Sequence, residues 1–152
     1  MALTIFQAII FMLFITFLII KFNGPISSIS NSWYLLTGKS KILFILFCFS
    51  LGILMLFQSA PSILFFLSGS ALSFVGITCT FKDNWITPHI HSGCAAICII
   101  LALLGIGIEL HNWIPLLVCV VSGIAIKLSK VKNGTFWIEI LAFLTIISGL
   151  LF

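Results

Sequence analysis

Six long apolar runs dominate this chain and limit what it can fold into. They cover roughly residues 2–20, 42–57, 62–81, 89–108, 113–126 and 136–152, and only the last contains a carboxylate. A bilayer core about 30 Å thick needs about 20 apolar residues per helix, so these runs predict membrane-spanning helices. They lack the period-two alternation of strands, and an open sheet edge cannot face lipid. The sequence therefore predicts an all-α, polytopic transmembrane helical bundle of six spans, forming one domain over residues 1–152.

The composition excludes a water-soluble protein. Apolar residues make up 62% of the chain and charged residues 7%, compared with roughly 45–50% and about 25% in soluble domains. Membrane lipids are therefore the expected surroundings. The net charge of +4 comes from scattered lysines with no arginine, which lacks the basic patch that a nucleic acid partner requires. The five cysteines lie in apolar runs and are predicted to be packing residues rather than a disulfide framework.

The lysines also predict an orientation. If the connectors of six spans alternate between the two sides, all seven lysines fall after the first, third or fifth span. The positive-inside rule makes that side cytoplasmic. We therefore expect a multi-pass protein of the inner (cytoplasmic) membrane with both termini outside.

Small residues predict how the helices pack. In the third span, Gly69, Ser73, Gly76 and Thr80 recur every three or four positions and form a smooth stripe for close helix approach. Most of the sixteen phenylalanines are expected to face away from such stripes and to take lipid-facing or filler positions. The corresponding small positions of the fourth span are Ser92, Gly93 and Ala96. A bundle of this size is expected to form a homo-oligomer if it is to enclose a continuous pathway.

Polar and titratable residues gather at the predicted cytoplasmic end. Glu139 lies near the start of the sixth run, on the same stripe as Ala142 and Gly149. An ionisable group inside a span is costly in lipid and indicates function, although a structural hydrogen bond to a lysine or to the serine-rich loop is the alternative. The predicted ligand-binding residues are Ser30, Ser32, Tyr34, Asp83, His91 and Glu139.

A weak metal-binding pattern occurs in the fourth span. His91, Cys94 and Cys98 share one helix face, and Asp83 or Glu139 would complete a zinc site. His89 points about 200° away from His91 around the helix and does not join them. Structural zinc sites usually show paired ligand spacing, so a core histidine with packing cysteines is the preferred interpretation, and no cofactor is expected.

Several segments resemble an uncharacterised family of small polytopic membrane proteins of gut bacteria and their phages. The segments are PISSISNSWYLL at 25–36, LSFVG at 72–76, FKD at 81–83 and WIEI at 137–140. This resemblance extends from about residue 20 to the C-terminus and implies the helical architecture but no activity. A looser similarity connects the chain with alkaline-ceramidase-like membrane hydrolases, which hold zinc with three His and an Asp. Here only His91 is placed to match.

Three functions are open from the sequence. The leading hypothesis is a non-enzymatic protein that binds or passes a small polar solute, an ion or a lipid headgroup through a cytoplasmic-side polar pocket. The second is an intramembrane metal-dependent hydrolase that uses Asp83, His91 and Glu139. The third is a non-catalytic phage or bacterial membrane accessory protein. No nucleophile elbow, phosphate loop or dinucleotide fingerprint occurs, so an enzyme is the less favoured class.

Overall fold

The computed structural model describes residues 1–58, 62–78 and 86–152, except for the side chains of residues 86–88. All regular structure in these ranges is helical. The helices are α1 (Ala2–Phe22), α2 (Ser32–Leu35), α3 (Ser40–Gln58), α4 (Ile63–Thr78), α5 (Ile86–Glu109), α6 (Ile114–Leu128) and α7 (Gly134–Leu151).

Each of the six predicted helical segments is a helix, and the short helix α2 is an addition that was not predicted. Four segments are long and apolar enough to cross a membrane: α1, α3, residues 89–109 of α5, and α7. The remaining helices, α4 and α6, contain 16 and 15 described residues. At about 1.5 Å per residue they reach about 22–24 Å, which is shorter than a bilayer core. The structure thus supports a membrane protein with four membrane-capable helices, and the six-span count stays a prediction.

The end of α1 directs the chain back over the bundle. Asn23 adopts the left-handed conformation (φ 53°), and its main-chain N–H contacts the carbonyl oxygens of Ile19 and Ile20. Gly24 follows at φ 142°, a region that residues with a Cβ rarely adopt. The next segment, residues 25–31, therefore crosses the end of the bundle before α2 begins.

The predicted small-residue stripe packs α4 against α3. A Cβ atom added to Gly69 would lie 2.6 Å from the carbonyl oxygen of Gly52, and one added to Gly76 would lie 3.0 Å from the Cβ of Cys48. Only glycine permits backbones to approach so closely. The stripe is confirmed over residues 69–76; Thr80, its last predicted member, lies outside the described residues.

The predicted packing face of α5 is wrong. Ser92 and Ala96 are exposed, and a Cβ added to Gly93 would meet nothing within 4 Å. The helix instead buries the adjacent face, whose most buried members are His91, Cys98, Ala102, Leu103 and Ile106. This face carries the imidazole, which finds hydrogen-bond partners inside the bundle. The free-energy cost of leaving the imidazole without hydrogen-bond partners outweighs the packing gain that the small-residue face would give.

Several phenylalanines are buried between helices, which is the filler position that the sequence allowed beside the lipid-facing one. Phe14 and Phe47 stack with ring centroids 4.1 Å apart, and Phe11 stacks on Phe143 at 5.2 Å. Burial of apolar area drives little association in lipid, so shape-filling contacts matter most there. Large rings fill the space where no glycine allows helices to touch. The most buried rings are those of Phe11, Phe14, Phe44, Phe47, Phe65 and Phe136.

Candidate functional site

Two lysine-bearing connectors meet at one end of the bundle. The Nδ2 atom of Asn133, between α6 and α7, donates to the carbonyl oxygen of Pro25, between α1 and α2, at 2.6 Å. Lys21 lies in the last turn of α1, and Lys127 lies in the last turn of α6. Lys21 and Lys127 therefore lie at the same end. The alternation of six connectors stays a prediction, and Lys82 lies outside the described residues.

Glu139 holds the segment that crosses this end. Its Oε2 accepts a hydrogen bond from the main-chain N–H of Ile29. The main-chain N–H and the hydroxyl of Ser30 also lie near the same carboxylate. Successive N–H groups aimed at one carboxylate form a concave anion site. The sequence alternative for Glu139, a structural bond to the serine-rich loop, is therefore what the geometry shows.

His91 holds the same segment from α5. The ring is 4% exposed. Its Nδ1 lies 3.2 Å from the carbonyl oxygen of Val75 in α4, and its Nε2 lies 3.1 Å from the carbonyl oxygen of Ser30. Both partners are acceptors, so a neutral imidazole donates to one of them and an imidazolium to both. The imidazole thus connects α4, α5 and the crossing segment.

Ser30 is consequently held on both sides of its main chain. Its N–H and hydroxyl face Glu139 from α7, and its carbonyl oxygen faces His91 from α5. Its hydroxyl also lies 3.2 Å from that of Ser28. Two helices that are far apart in sequence therefore fix the position of one residue, as expected for a functional segment on a rigid support.

An open polar cleft of about 360 Å³ lies beside this peptide. Side chains from the crossing segment, α2, α5 and the first turn of α7 form it. The ring of Tyr34 meets that of His91 edge-on at 6.5 Å between centroids. The described lining residues are Ser27, Ser28, Ser30, Asn31, Tyr34, His91, Ser92 and Thr135.

The cleft includes three of the six predicted ligand-binding residues: Ser30, Tyr34 and His91. Glu139 lies behind Ser30 and lines an internal void instead. Ser32 is fully buried, and its hydroxyl has no hydrogen-bond partner among the described residues. Asp83 lies outside the described residues.

Five lining residues were not among the predicted ligand-binding residues. Ser92 was predicted to be a packing residue, and Thr135 at the start of α7 carried no prediction. Ser27, Ser28 and Asn31 belong to the serine-rich segment, but none of them was predicted individually. A local signal existed, because Asn31 makes short-range bonds typical of turns, from its N–H to the Ser28 hydroxyl at 2.9 Å and from Nδ2 to the Ser27 hydroxyl at 2.8 Å.

The described residues do not fit a zinc site. No three His, Cys, Asp or Glu side chains among them are grouped closely enough to hold a metal. Both ring nitrogens of His91 face carbonyl oxygens, so neither is directed towards Glu139. Cys98 lies deeper in the bundle, beside the hydroxyl of Ser68 at 3.5 Å.

Comparison with known protein families, with curated proteins and with solved structures finds no match. The function must therefore be argued from the site itself.

Proposed function

We propose that this membrane protein binds, or receives for passage, a small uncharged polar solute or the polar head of a lipid in the cleft at its lysine-bearing end. The observation that carries the proposal is that all eight described residues lining one opening are polar, in a chain that is 62% apolar. Ligand sites combine a concave shape with a few convergent polar groups, and this cleft has both.

The chemistry of the lining favours a hydroxyl-rich ligand. Serine, threonine and tyrosine hydroxyls both donate and accept, and the Asn31 amide does the same. Such groups match a ligand whose own groups also donate and accept, for example a glycerol moiety. The Ser30 carbonyl and the Glu139 carboxylate are already engaged with His91 and with the crossing segment.

The position of the cleft supports a membrane-interface ligand. Under the six-span arrangement, the lysine-bearing end faces the cytoplasm of a multi-pass protein of the cytoplasmic membrane, with both termini outside. The ammonium group of Lys41, in α3, lies 4.8 Å from the ring centroid of Trp33, in α2. Tryptophan and lysine are typical anchors at the headgroup level of a bilayer.

A cleft-filling variant tests the proposal. In Thr135→Trp, an exposed lining residue becomes a large ring, whereas Lys132→Trp adds the same ring at an exposed position of the α6–α7 connector outside the described lining. Native mass spectrometry with added monoacylglycerol, and separately with glycerol, should show a one-to-one complex with the parent and Lys132→Trp. The Thr135→Trp variant should lose it. Equal binding by all three proteins to both probes would refute the proposed site.

The metal-dependent hydrolase is less well supported, because His91 directs both nitrogens to carbonyl oxygens. The accessory role in a phage or bacterial membrane stays a prediction that no observation favours over the cleft.

A further inference from the structure

The peptide beside the cleft also separates the cleft from the interior of the bundle. Ser30 lines the open cleft on one side and an internal void of about 30 Å³ on the other. Ile29, which is 3% exposed, points its side chain among the walls of that void. Ile29 and Ser30 are therefore the barrier between the two spaces.

A second void lies next to the first, across shared wall residues. It has a volume of about 10 Å³ and shares Cys98 and Phe143 with the first void. A water molecule needs about 10–15 Å³ in this measure, so both spaces are near the size of one or two water molecules. The second void ends at Gln7.

Gln7 marks the opposite end of the bundle. It lies about 22 Å from Phe22 along α1, at about 1.5 Å per residue. Its Nε2 donates to the side-chain oxygen of Gln58 at 2.9 Å, and Gln58 donates to the hydroxyl of Thr4 at 2.7 Å. Both Gln7 and Thr4 are buried. Polar groups thus stand at each end of the line of voids, with mainly apolar walls between them.

We infer that Ile29 and Ser30 form a plug, held by Glu139 and His91, that closes a narrow apolar passage from the cleft into the bundle as far as Gln7. The inference extends the proposed function, because the cleft is the mouth of this passage. The hydrogen bonds from Glu139 and His91 to the plug can break and form again. If apolar packing of Ile29 alone closed the passage, no carboxylate would be needed beneath the plug. The cost of placing Glu139 inside a span is then explained by its role.

The walls restrict what the passage admits. Between Ser30 and Gln7 they consist mainly of phenylalanine and aliphatic side chains. An ion that enters such surroundings loses its hydration without compensation. The passage therefore suits uncharged molecules of about the size of water.

Cysteines already present in the walls allow a direct test. Cys98 lines both voids and is 1% exposed, and Cys119 on α6 is partly exposed. The parent for the test retains Cys98 alone, with the other four cysteines replaced by alanine. A second parent retains Cys119 alone and reports access from lipid. The probe is methyl methanethiosulfonate, a small neutral thiol reagent, applied to the protein in vesicles.

Opening the plug should expose Cys98. In Glu139→Gln, labelling of Cys98 should accelerate about 3- to 10-fold, because a neutral amide oxygen is a weaker acceptor than a carboxylate. Labelling of Cys119 in the same variant should not change. The control Ser148→Ala removes a hydrogen bond to the Thr145 carbonyl on the same helix and should leave the Cys98 rate unchanged. Equal rates in Glu139→Gln and the parent, or equal acceleration by Ser148→Ala, would overturn the inference.

A second variant covers the case in which Glu139→Gln does not fold. Ile29→Ala keeps Glu139 and shortens the plug, and it should also accelerate labelling of Cys98; an unchanged rate counts against the plug. The charge restriction is tested in any variant in which Cys98 becomes labelled. The rate with a quaternary-ammonium methanethiosulfonate and the rate with the neutral reagent are each divided by the rate of the same reagent with a thiol in solution. The charged reagent should give the lower relative rate at Cys98. Equal relative rates would refute the restriction to uncharged molecules. Ligand binding in the cleft is measured separately by mass spectrometry. Failure of the plug inference can therefore be distinguished from failure of the proposed function.

Discussion

At the scale of single residues, Ser30 is the point at which the two helices that support the site hold the crossing segment. Its main chain is bound by Glu139 from α7 and by His91 from α5. Removing either partner leaves buried peptide groups without a hydrogen bond, which is more costly than the mean contribution of such a bond suggests. Two side chains, Glu139 and His91, therefore contribute most of the stability of this site.

Replacing Glu139 should distinguish its acceptor role from its volume. Glu139→Ala leaves the N–H groups of Ile29 and Ser30 without their acceptor, and we expect a loss of about 1–3 kcal/mol in the free energy of unfolding. Glu139→Gln retains one acceptor oxygen and should lose less. Thermal denaturation in detergent measures both; a Gln variant as unstable as the Ala variant would contradict the acceptor role.

Replacing His91 tests the other side of the same peptide. His91→Phe keeps an aromatic ring of similar size next to Phe44, whose centroid lies 6.0 Å away, but removes both ring nitrogens. We expect destabilisation of about 1–3 kcal/mol, because the carbonyl of Ser30 or of Val75, whichever accepts from the imidazole, loses a buried donor. His89→Phe, at an exposed position of the same helix, is the matched control and should change stability by less than about 0.5 kcal/mol. A neutral His91→Phe would show that aromatic packing alone holds this region.

At the scale of helices, two kinds of contact join the bundle. Backbones touch where glycine permits it, between α3 and α4, and aromatic rings fill the wider gaps around α1 and α7. Interhelical hydrogen bonds such as that between Gln7 and Gln58 join α1 to α3. In lipid, these contacts replace the hydrophobic driving force of soluble proteins.

A pair of glycine substitutions tests the close approach. Gly69→Ala places a Cβ 2.6 Å from the Gly52 carbonyl oxygen, and such overpacking costs about 1–3 kcal/mol. Gly93→Ala, also inside a helix, meets nothing within 4 Å and should be neutral or stabilising by about 0.5–1 kcal/mol. Helix content and thermal midpoints in detergent compare the two variants. Similar midpoints would mean that α3 and α4 do not pack through Gly69.

The helices and the polar end of the molecule were predictable because their signals are local. Apolar run length places each helix, lysine spacing places the polar end, and small-residue periodicity places the α4 stripe. The packing face of α5 and the buried phenylalanines were not predictable, because they depend on which neighbouring helix supplies a carbonyl group or a gap. Likewise, the loop contacts of Glu139 join positions 110 residues apart in sequence, and no local pattern encodes such a pairing.

At the scale of the whole molecule, the protein has a polar end and an apolar body. The α1–α2 connector, the α6–α7 connector and the start of α5 meet at the polar end, while the Gln7–Gln58 pair lies at the other. Reporter fusions test the proposed orientation. Both termini should report the outside, with the lysine-bearing connectors accessible only from the cytoplasm. A cytoplasmic C-terminus would contradict the six-span arrangement.

The most direct test of the central claim is the affinity of the cleft for polar molecules of different charge. We would compare the thermal stabilisation by monoacylglycerol with that by lysophosphatidic acid and by an alkylamine of equal chain length, in the parent and in Thr135→Trp. At about 100 times its dissociation constant, a ligand stabilises the native state by about 2.7 kcal/mol. The account predicts that monoacylglycerol stabilises the parent most and that Thr135→Trp abolishes this effect. Stronger stabilisation by either charged lipid, or an unchanged effect in Thr135→Trp, would contradict it.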